Sequence, residues 1–347
     1  MKIGLVGFGV GGQFFHAPYI VAAVGVELAG IVTRSPERRA RARDQYPTIR
    51  LFDSLAGLLD SGVDAVVIST PPETRQALVL EAIAAGVHVI ADKPFAPTAE
   101  DGLRLVAAAE EAGVSLDVFH NRRWDTDIRT LRSVVASGQL GQIARFESRF
   151  DLDQPELLEA GPAGGLLRDL GSHLVDQAVW LFGPPVAVYA NLDWIELPAG
   201  RTDAGFFLTI THDSGVVSNL SSTKTRHLSS RELRVLGSRG SYVSEQTDVQ
   251  AIAVFAGKRP VDDPGTWGYE VEERWGTLFT EDGAARVPSE RGAYQEYYEQ
   301  FARAIEGRDQ HPVTGIEAIH TLRVLDAARL SEAESRVVHL HDAGQIG

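Results

Sequence analysis

The first 120 residues alternate short apolar runs with segments of helical periodicity, and this alternation constrains the fold more than any other feature. Five runs are typical of buried strands, at 3–6, 27–32, 65–69, 88–91 and 115–119. The four helical segments between them lie at 13–24, 36–46, 73–85 and 98–112, and Thr98, followed by Glu100 and Asp101, is predicted to cap the last of them. Strands that alternate with helices of this length need crossover connections, so the sequence predicts a doubly wound parallel α/β sheet.

Beyond residue 121 the alternation ends, and longer strand-like stretches follow one another with turn signals between them. "DSG" at 213–215 and "GSRGS" at 237–241 are typical of hairpin turns. This pattern predicts an α+β domain built on an open, mostly antiparallel sheet. Because 347 residues are long for a single core, we expect two domains, at 1–121 and 122–347.

A glycine-rich turn, "GFGVGG", follows the first predicted strand and opens the first predicted helix. Its Gly-x-Gly-x-x-Gly spacing suits a tight turn, close approach of the backbone to a pyrophosphate, and close packing of helix on sheet. The free N–H groups at the start of that helix favour the phosphates. A plain glycine-rich turn is the alternative. The sequence predicts dinucleotide binding by Gly7, Phe8, Gly9, Val10, Gly11 and Gly12.

The stretch "TRSPERRARAR" at 33–43 places five arginines directly after the second predicted strand. NAD-selective proteins place Asp or Glu at that strand end to hold the adenosine ribose, but Thr33, Arg34 and Ser35 stand here instead. A guanidinium can fork onto a 2′-phosphate, and each such charged hydrogen bond contributes about 1.5–3 kcal/mol. We therefore expect Arg34, with Ser35 and Arg38, to bind NADP(H) in preference to NAD(H). The later arginines are typical of a solvated helix face.

Composition excludes several classes of protein. A net charge of −14 argues against a nucleic-acid partner, and the absence of cysteine excludes disulfides and thiolate chemistry. No window approaches the ~20 apolar residues of a membrane span. The start of the chain lacks the features of a signal peptide, so we expect a cytoplasmic protein without a membrane partner.

Several motifs resemble those of the Gfo/Idh/MocA oxidoreductases, which pair a Rossmann domain with an α/β substrate domain. These motifs are "GFGVGGQFFHAPYI" at the start, "STPPETR" after the third strand, "DKP" at 92–94 and "GGLLRDLGSHLVDQAVWLFG" at 164–183. "FHAP" and "FHNRRWDTD" are similar to those of the subgroup that contains the NADP-dependent scyllo-inositol dehydrogenases. The resemblance also implies a homodimer or homotetramer.

Lys93 follows the fourth predicted strand, at the sheet edge where open α/β sheets bind ligands. A lysine there can donate to a reacting hydroxyl and stabilise alkoxide character, although an ordinary strand-end lysine is the alternative. The resemblance implies that the bond between Lys93 and Pro94 is cis. It also implies cofactor contacts for this region, from Ser69, Thr70, Pro71, Asp92 and Lys93.

Asp169, His173 and Asp176 share one face if their segment is helical. A surface salt-bridge ladder and a metal site are alternatives, but no clear fourth metal ligand lies nearby, so we expect no metal. The resemblance implies a catalytic set of Lys93, Asp169 and His173. In it His173 is the general base, because its ordinary pKa of about 6.5 suits proton removal near neutrality. Asp169 orients the imidazole or a substrate hydroxyl.

Polar residues after the fifth predicted strand are candidates for substrate contacts. Asn and Arg donors suit a polyol, and Trp can pack on a sugar-like ring, but a segment that merely links the domains is an equal alternative. We expect substrate contacts from Asn121, Arg122, Arg123, Trp124 and Asp151, with Asp153 a weaker candidate. The sequence departs from the family pattern at Pro72 and Arg75, where asparagine and histidine are common. His16 and His120 are interpreted as packing residues.

Together these features predict an NADP-dependent enzyme that oxidises a secondary hydroxyl of a cyclic polyol or sugar, with scyllo-inositol as the first candidate. Other inositols, glucose-like aldoses and a 1,2-diol are alternatives within the class. A regulator that senses NADP(H) without turnover and a reductase of a non-sugar carbonyl are alternatives outside it.

Overall fold

The computed structural model describes residues 1–161 and 164–340, which form two compact units. The first unit consists of Met1–Trp124, Val249–Trp267 and Ala293–Ala318. The described residues of the second lie within Asp125–Asp248, Gly268–Gly292 and 319–340.

The strands of the described residues are numbered in chain order. They are β1 Lys2–Val6, β2 Glu27–Val32, β3 Arg50–Phe52, β4 Ala65–Ile68, β5 His88–Asp92, β6 Leu116–Phe119, β7 Ile143–Asp151, β8 Pro185–Leu197, β9 Gly200–His212, β10 Val217–Thr223, β11 Ser230–Gly237, β12 Gly240–Ser244, β13 Thr277–Thr280, β14 Gly283–Arg286 and β15 Val338–His339.

The α-helices of the same residues are α1 Ala17–Ala22, α2 Pro36–Gln45, α3 Leu55–Leu59, α4 Pro72–Ala84, α5 Ala99–Ala112, α6 Thr126–Ala136, α7 Ser172–Phe182, α8 Val249–Phe255, α9 Gln295–Ile305 and α10 Gly315–Glu334. Two of them follow π-helical segments: Gly11–His16 runs into α1, and Leu167–Gly171 runs into α7. None of these helices is long and apolar enough to span a bilayer.

The first unit is built on a six-stranded parallel sheet in the order β3-β2-β1-β4-β5-β6. All four residues of β4 are fully buried, as expected for a central strand covered on both faces. The predicted doubly wound parallel sheet is therefore confirmed. The sequence analysis missed β3 and α3, because elements of three and five residues show too little periodicity.

Side-chain caps fix where the helices of this unit begin. Ser35 Oγ accepts a hydrogen bond from Arg38 N at 3.3 Å and so caps α2. Thr98, predicted as a cap, accepts from Asp101 N at 3.1 Å at the start of α5.

The second unit is built on a nine-stranded sheet in the order β14-β13-β12-β11-β7-β10-β9-β8-β15. Every neighbouring pair is antiparallel except β7 and β10. The predicted α+β unit on a mostly antiparallel sheet is confirmed. The short edge strands β14 and β15, and the short strand β13 beside β14, were not predicted.

The contacts also draw two later segments, Val249–Trp267 and Ala293–Ala318, into the first unit, beyond the predicted boundary at residue 121. Aromatic contacts hold them there: Phe255 stacks on Phe14 at 4.9 Å, and Tyr294 meets Tyr19 at 5.0 Å. Such contacts join residues far apart in sequence, so local periodicity carries no sign of them.

Candidate functional site

The glycine turn after β1 is held together by contacts that leave no room for side chains. Gly7 has a φ of +103°, and a Cβ there would lie 2.2 Å from the carbonyl oxygen of Ser69. A Cβ on Gly12 would lie 2.1 Å from the carbonyl oxygen of Gly7. Both positions therefore require glycine for the protein's own packing.

Gly9 differs, because a Cβ added there would meet no backbone atom. The nearest atoms are those of the Arg38 guanidinium, at 3.9 Å. The space beside Gly9 suits a bound group that approaches the backbone closely, at the start of a helix and next to a positive charge. A pyrophosphate has this charge and size, so the turn fits a dinucleotide.

The end of β2 carries exposed arginines and no acidic side chain. Arg34 is exposed, and its Nε donates to the carbonyl oxygen of Asp53 at 3.1 Å. Arg38 is also exposed. The nearby carboxylate, Asp53, is bound by Arg39 Nη1 at 2.7 Å, so its charge is offset. In NAD-selective proteins a carboxylate at this position repels the 2′-phosphate of NADP, whereas this surface presents guanidinium groups.

Arg39 has a structural role. Its Nη1 also donates to the carbonyl oxygen of Thr33 at 3.0 Å, which ties the ends of β2 and β3 together. Thr33 itself is buried, and Ser35 is occupied with the cap of α2.

Asp92 is the centre of a hydrogen-bonded corner at the carboxyl end of β5. Its Oδ2 accepts from Ser69 Oγ at 2.9 Å, and its Oδ1 accepts from Lys93 N at 2.9 Å. Burial alone raises the pKa of Asp92, but the contact with the His16 imidazole, together with the positive charges of Arg75 and Lys93, outweighs burial and holds the pKa well below its usual range. The carboxylate therefore stays ionised beside Lys93.

His16 connects this corner to the later part of the first unit. The Tyr298 hydroxyl lies 2.7 Å from His16 Nδ1, and His16 Nε2 lies 3.5 Å from Asp92 Oδ2. A tyrosine hydroxyl that donates to Nδ1 leaves the Nε2–H directed at the carboxylate. His16 packs as predicted, since its ring centroid lies 4.2 Å from that of Phe119. It also contacts the Asp92 carboxylate.

Arg75, one of the two departures from the family pattern, is buried and braces the same corner. Its Nη1 donates to the carbonyl oxygen of Pro94 at 2.6 Å, and its Nη2 donates to that of Thr70 at 2.7 Å. The peptide bond between Lys93 and Pro94 is cis. The guanidinium therefore links the loop after β4 to the loop after β5.

The segment 121–124 forms a 3₁₀ turn whose first three residues are buried in the first unit. Arg123 Nη1 donates to Glu317 Oε1 at 2.7 Å. The Trp124 ring meets Tyr297 at 5.3 Å. These contacts give Arg123 and Trp124 a packing role within the unit. Substrate contacts by Asn121, Arg122, Arg123 and Trp124 remain a prediction.

In the second unit, Asp169 lies on the π-helical segment and His173 lies in the first turn of α7. His173 is buried, and so is Asp176. Asp169 Oδ2 accepts a hydrogen bond from Lys224 Nζ at 2.8 Å, which the sequence analysis did not anticipate. Within the described chain, no group of three or more metal-ligating side chains is assembled.

Asp151, a predicted substrate residue, is buried at the end of β7. Its Oδ1 accepts from Thr223 N at 2.9 Å, next to Lys224 in the chain. Burial raises its pKa, partly offset by that hydrogen bond. In this arrangement Asp151 holds the end of β10, and contact with a substrate stays a prediction.

Comparison with known proteins identifies the family. The profile of the oxidoreductase family with an NAD-binding Rossmann fold, Gfo/Idh/MocA, matches residues 1–120, and that of the GFO/IDH/MocA C-terminal domain matches residues 128–243. The scyllo-inositol 2-dehydrogenase (NADP(+)) IolW of Bacillus subtilis is 32% identical over 98% of this chain and 96% of its own. The chain belongs to the Gfo/Idh/MocA oxidoreductase family.

Two further proteins show how completely the chain matches other members of the Gfo/Idh/MocA family. The oxidoreductase YdgJ of Escherichia coli is 35% identical over 94% of both chains. The solved structure of the oxidoreductase yvaA from Bacillus subtilis superposes with a TM-score of 0.88 at 31% identity, over 98% of this chain and 97% of that one. The chain is therefore an oxidoreductase with an NAD(P)-binding Rossmann domain.

The sequence analysis predicted Lys93, Asp169 and His173 as site residues but did not anticipate that Lys224 contacts Asp169. A signal was present, because the chain has only four lysines against its many arginines, and Lys224 stands in the polar run "SSTKT" at a predicted strand end. No local signal could have paired Tyr298 with His16, since 282 residues separate them.

Proposed function

We propose that this Gfo/Idh/MocA oxidoreductase transfers hydride between NADP(H) and a secondary hydroxyl of a cyclic polyol or sugar, with scyllo-inositol as the first substrate to test. The observation that carries the proposal is the end of β2, where Arg34 and Arg38 are exposed and the neighbouring carboxylate of Asp53 is already bound by Arg39. The name of the relative IolW supports both the cofactor and the substrate class.

The cofactor would lie with its pyrophosphate on the glycine turn and its 2′-phosphate between Arg34 and Arg38. When bound, it supplies the hydride acceptor. Asp92 would hold the backbone of Lys93 in place at the sheet edge, through the hydrogen bond at 2.9 Å.

In the proposed oxidation, His173 accepts the proton of the substrate hydroxyl as the carbon loses hydride, and the product is the ketone. Lys93 donates a hydrogen bond to the hydroxyl oxygen and stabilises its alkoxide character. Asp169 accepts from a neighbouring hydroxyl or orients the imidazole. Lys93 belongs to the first unit, and the other two residues belong to the second.

The test is a panel assay with both coenzymes. Purified protein is mixed with NADP or NAD and with scyllo-inositol, other inositols, glucose and a 1,2-diol, and the absorbance of the reduced cofactor is followed. We expect turnover with NADP on at least one cyclic polyol. Cofactor binding without turnover on any compound would favour a sensor, and activity confined to NADPH with a non-sugar ketone would favour a carbonyl reductase.

We also propose that copies of the chain associate through the nine-stranded sheet, as a homodimer or homotetramer. Tyr189 on β8 and Phe207 on β9 lie close together on one face of this sheet and are 41% and 47% exposed. Strand β10 is also rich in serine, but Ser218 and Ser222 are buried in the protein and therefore do not contribute to an exposed face. Light scattering on a sized sample gives the subunit count, and a monomer would contradict the proposal.

A further inference from the structure

Lys224 directly follows β10 and carries a buried ammonium group. Its Nζ lies 2.8 Å from Asp169 Oδ2, and its side chain is only 4% exposed, whereas that of Asp169 is 46% exposed. The lysine therefore approaches the carboxylate from the protein side. The carboxylate faces partly outward.

The backbone around this lysine is pinned on three sides. Lys224 N donates to the carbonyl oxygen of Ala204 at 3.0 Å. Thr223 N donates to Asp151 Oδ1 at 2.9 Å, and the carbonyl oxygen of Thr223 accepts from Leu152 N at 3.0 Å. Because the backbone is already fixed, the Lys224 side chain loses little further conformational entropy when a ligand binds. The ammonium is thus placed in advance.

A lysine ammonium has three N–H donors, and burial of a charge is costly when its donors are not matched. Among the described residues, Asp169 is the one acceptor within hydrogen-bonding distance of Lys224 Nζ. The remaining N–H groups require other acceptors. Neutral hydroxyl oxygens are suitable acceptors beside a carboxylate that already balances the charge.

We infer that Lys224 is a substrate-binding residue whose ammonium donates to a hydroxyl adjacent to the carbon that is oxidised. This inference rests on the proposed function and deepens it, because it requires a vicinal hydroxyl in the substrate. Asp169 accepts from the same part of the ring, so the pair offers a donor and an acceptor to neighbouring oxygens. A site built to bond a hydroxyl rejects an analogue that lacks it.

The experiment compares Lys224→Met with Arg226→Met on one preferred polyol and on its monodeoxy analogues, each lacking one hydroxyl next to the reacting carbon. Arg226 is a matched control, since it lies two residues away, is exposed, and approaches Asp193 only to 3.9 Å. For Lys224→Met we expect a loss of about 10- to 100-fold in kcat/KM on the polyol, mainly through KM. The analogue that lacks the recognised hydroxyl should show almost no loss. Arg226→Met should match the wild type on every compound.

An equal loss on the polyol and on all monodeoxy analogues would overturn the inference, because it would show that Lys224 acts on the site in general. An unchanged kcat/KM would also overturn it. If wild-type protein turns over no polyol with either coenzyme, the proposed function fails and takes the inference with it. Thermal unfolding checks each variant. If Lys224→Met does not fold, Lys224→Arg, which keeps the charge, replaces it. This variant is expected to retain discrimination against the same analogue, and loss of that discrimination would contradict the inference.

Discussion

The two π-helical segments belong to different units, and the candidate residues beside them are held in opposite ways. At Gly11–His16 the nearby turn depends on backbone atoms and missing side chains, as in the contact between Gly7 and Ser69. At Leu167–Gly171 the site depends on charged side chains, and Asp169 takes its partner Lys224 from 55 residues away.

The comparison teaches which half tolerates change. The glycine turn tolerates only glycine at positions 7 and 12, because any Cβ at Gly7 or Gly12 collides with a carbonyl oxygen. A site of side chains can change its specificity by replacing one pair while the helix and strand that carry it stay in place. We therefore expect mutations in the first half to affect folding and binding together, and mutations in the second half to separate chemistry from folding.

The largest effect is expected for His173→Ala. Loss of a general base lowers kcat by about 10²- to 10⁴-fold. Affinity for NADP should stay within twofold, because His173 belongs to the second unit and the glycine turn to the first. Steady-state kinetics and calorimetric cofactor titration give the two numbers. Near-normal turnover would remove His173 from the reaction and weaken the comparison.

The next effect tests the first half, with Gly7→Ala against Gly9→Ala. Gly7→Ala combines a positive φ with a contact of 2.2 Å, so we expect a loss of about 2 kcal/mol or more in unfolding free energy. Gly9→Ala meets nothing closer than 3.9 Å, so its stability should match the wild type while cofactor affinity falls. Denaturant unfolding and fluorescence titration measure both. Equal stability losses would show that the turn is not divided in this way.

Arg34→Ala should raise the KM for NADP by about 10- to 100-fold and leave the KM for NAD nearly unchanged, because one or two charged hydrogen bonds to the 2′-phosphate are lost. Arg43→Ala is the control, since Arg43 is exposed in the last turn of α2, the helix that begins just after Arg34. Equal effects on both coenzymes would contradict the assignment of Arg34.

The smallest effect concerns pH, and it compares one carboxylate from each unit, Asp127 and Asp92. In the second unit, burial raises the pKa of Asp127 to about 6, with Arg231 opposing and Asp125 reinforcing the shift. The ionised form of Asp127 is therefore disfavoured in the fold, so stability from this group is gained as the pH falls from 7 towards 5.

The unfolding free energy of the wild type relative to Asp127→Asn should accordingly rise by about 1 kcal/mol between pH 7 and pH 5. The difference in unfolding free energy between the wild type and Asp92→Asn should be the same at pH 7 and pH 5. The pKa of Asp92 is lowered in the fold, so its stabilisation is lost only below the unfolded pKa of about 3.9. Urea unfolding at the two pH values measures both differences. A fall for Asp127→Asn would contradict the sign.

Much of this molecule could be predicted from local patterns. The parallel sheet follows from alternating apolar runs, and the glycine turn follows from spacing between a strand and a helix. The cap at Thr98 depends on three neighbouring residues. Local patterns did not predict elements too short to show a period, such as β3 and β15. They also gave no sign that later segments pack into the first unit, which depends on aromatic contacts such as Tyr294 with Tyr19.

By itself the sequence determined the Rossmann architecture, the glycine cradle and the absence of an acidic residue after β2, because each depends on neighbours in the chain. Only the tertiary structure decided that Arg75 braces Thr70 and Pro94 and that Lys224 meets Asp169. Buried charges must find partners wherever the fold brings them, and such pairings leave no periodic trace in the sequence.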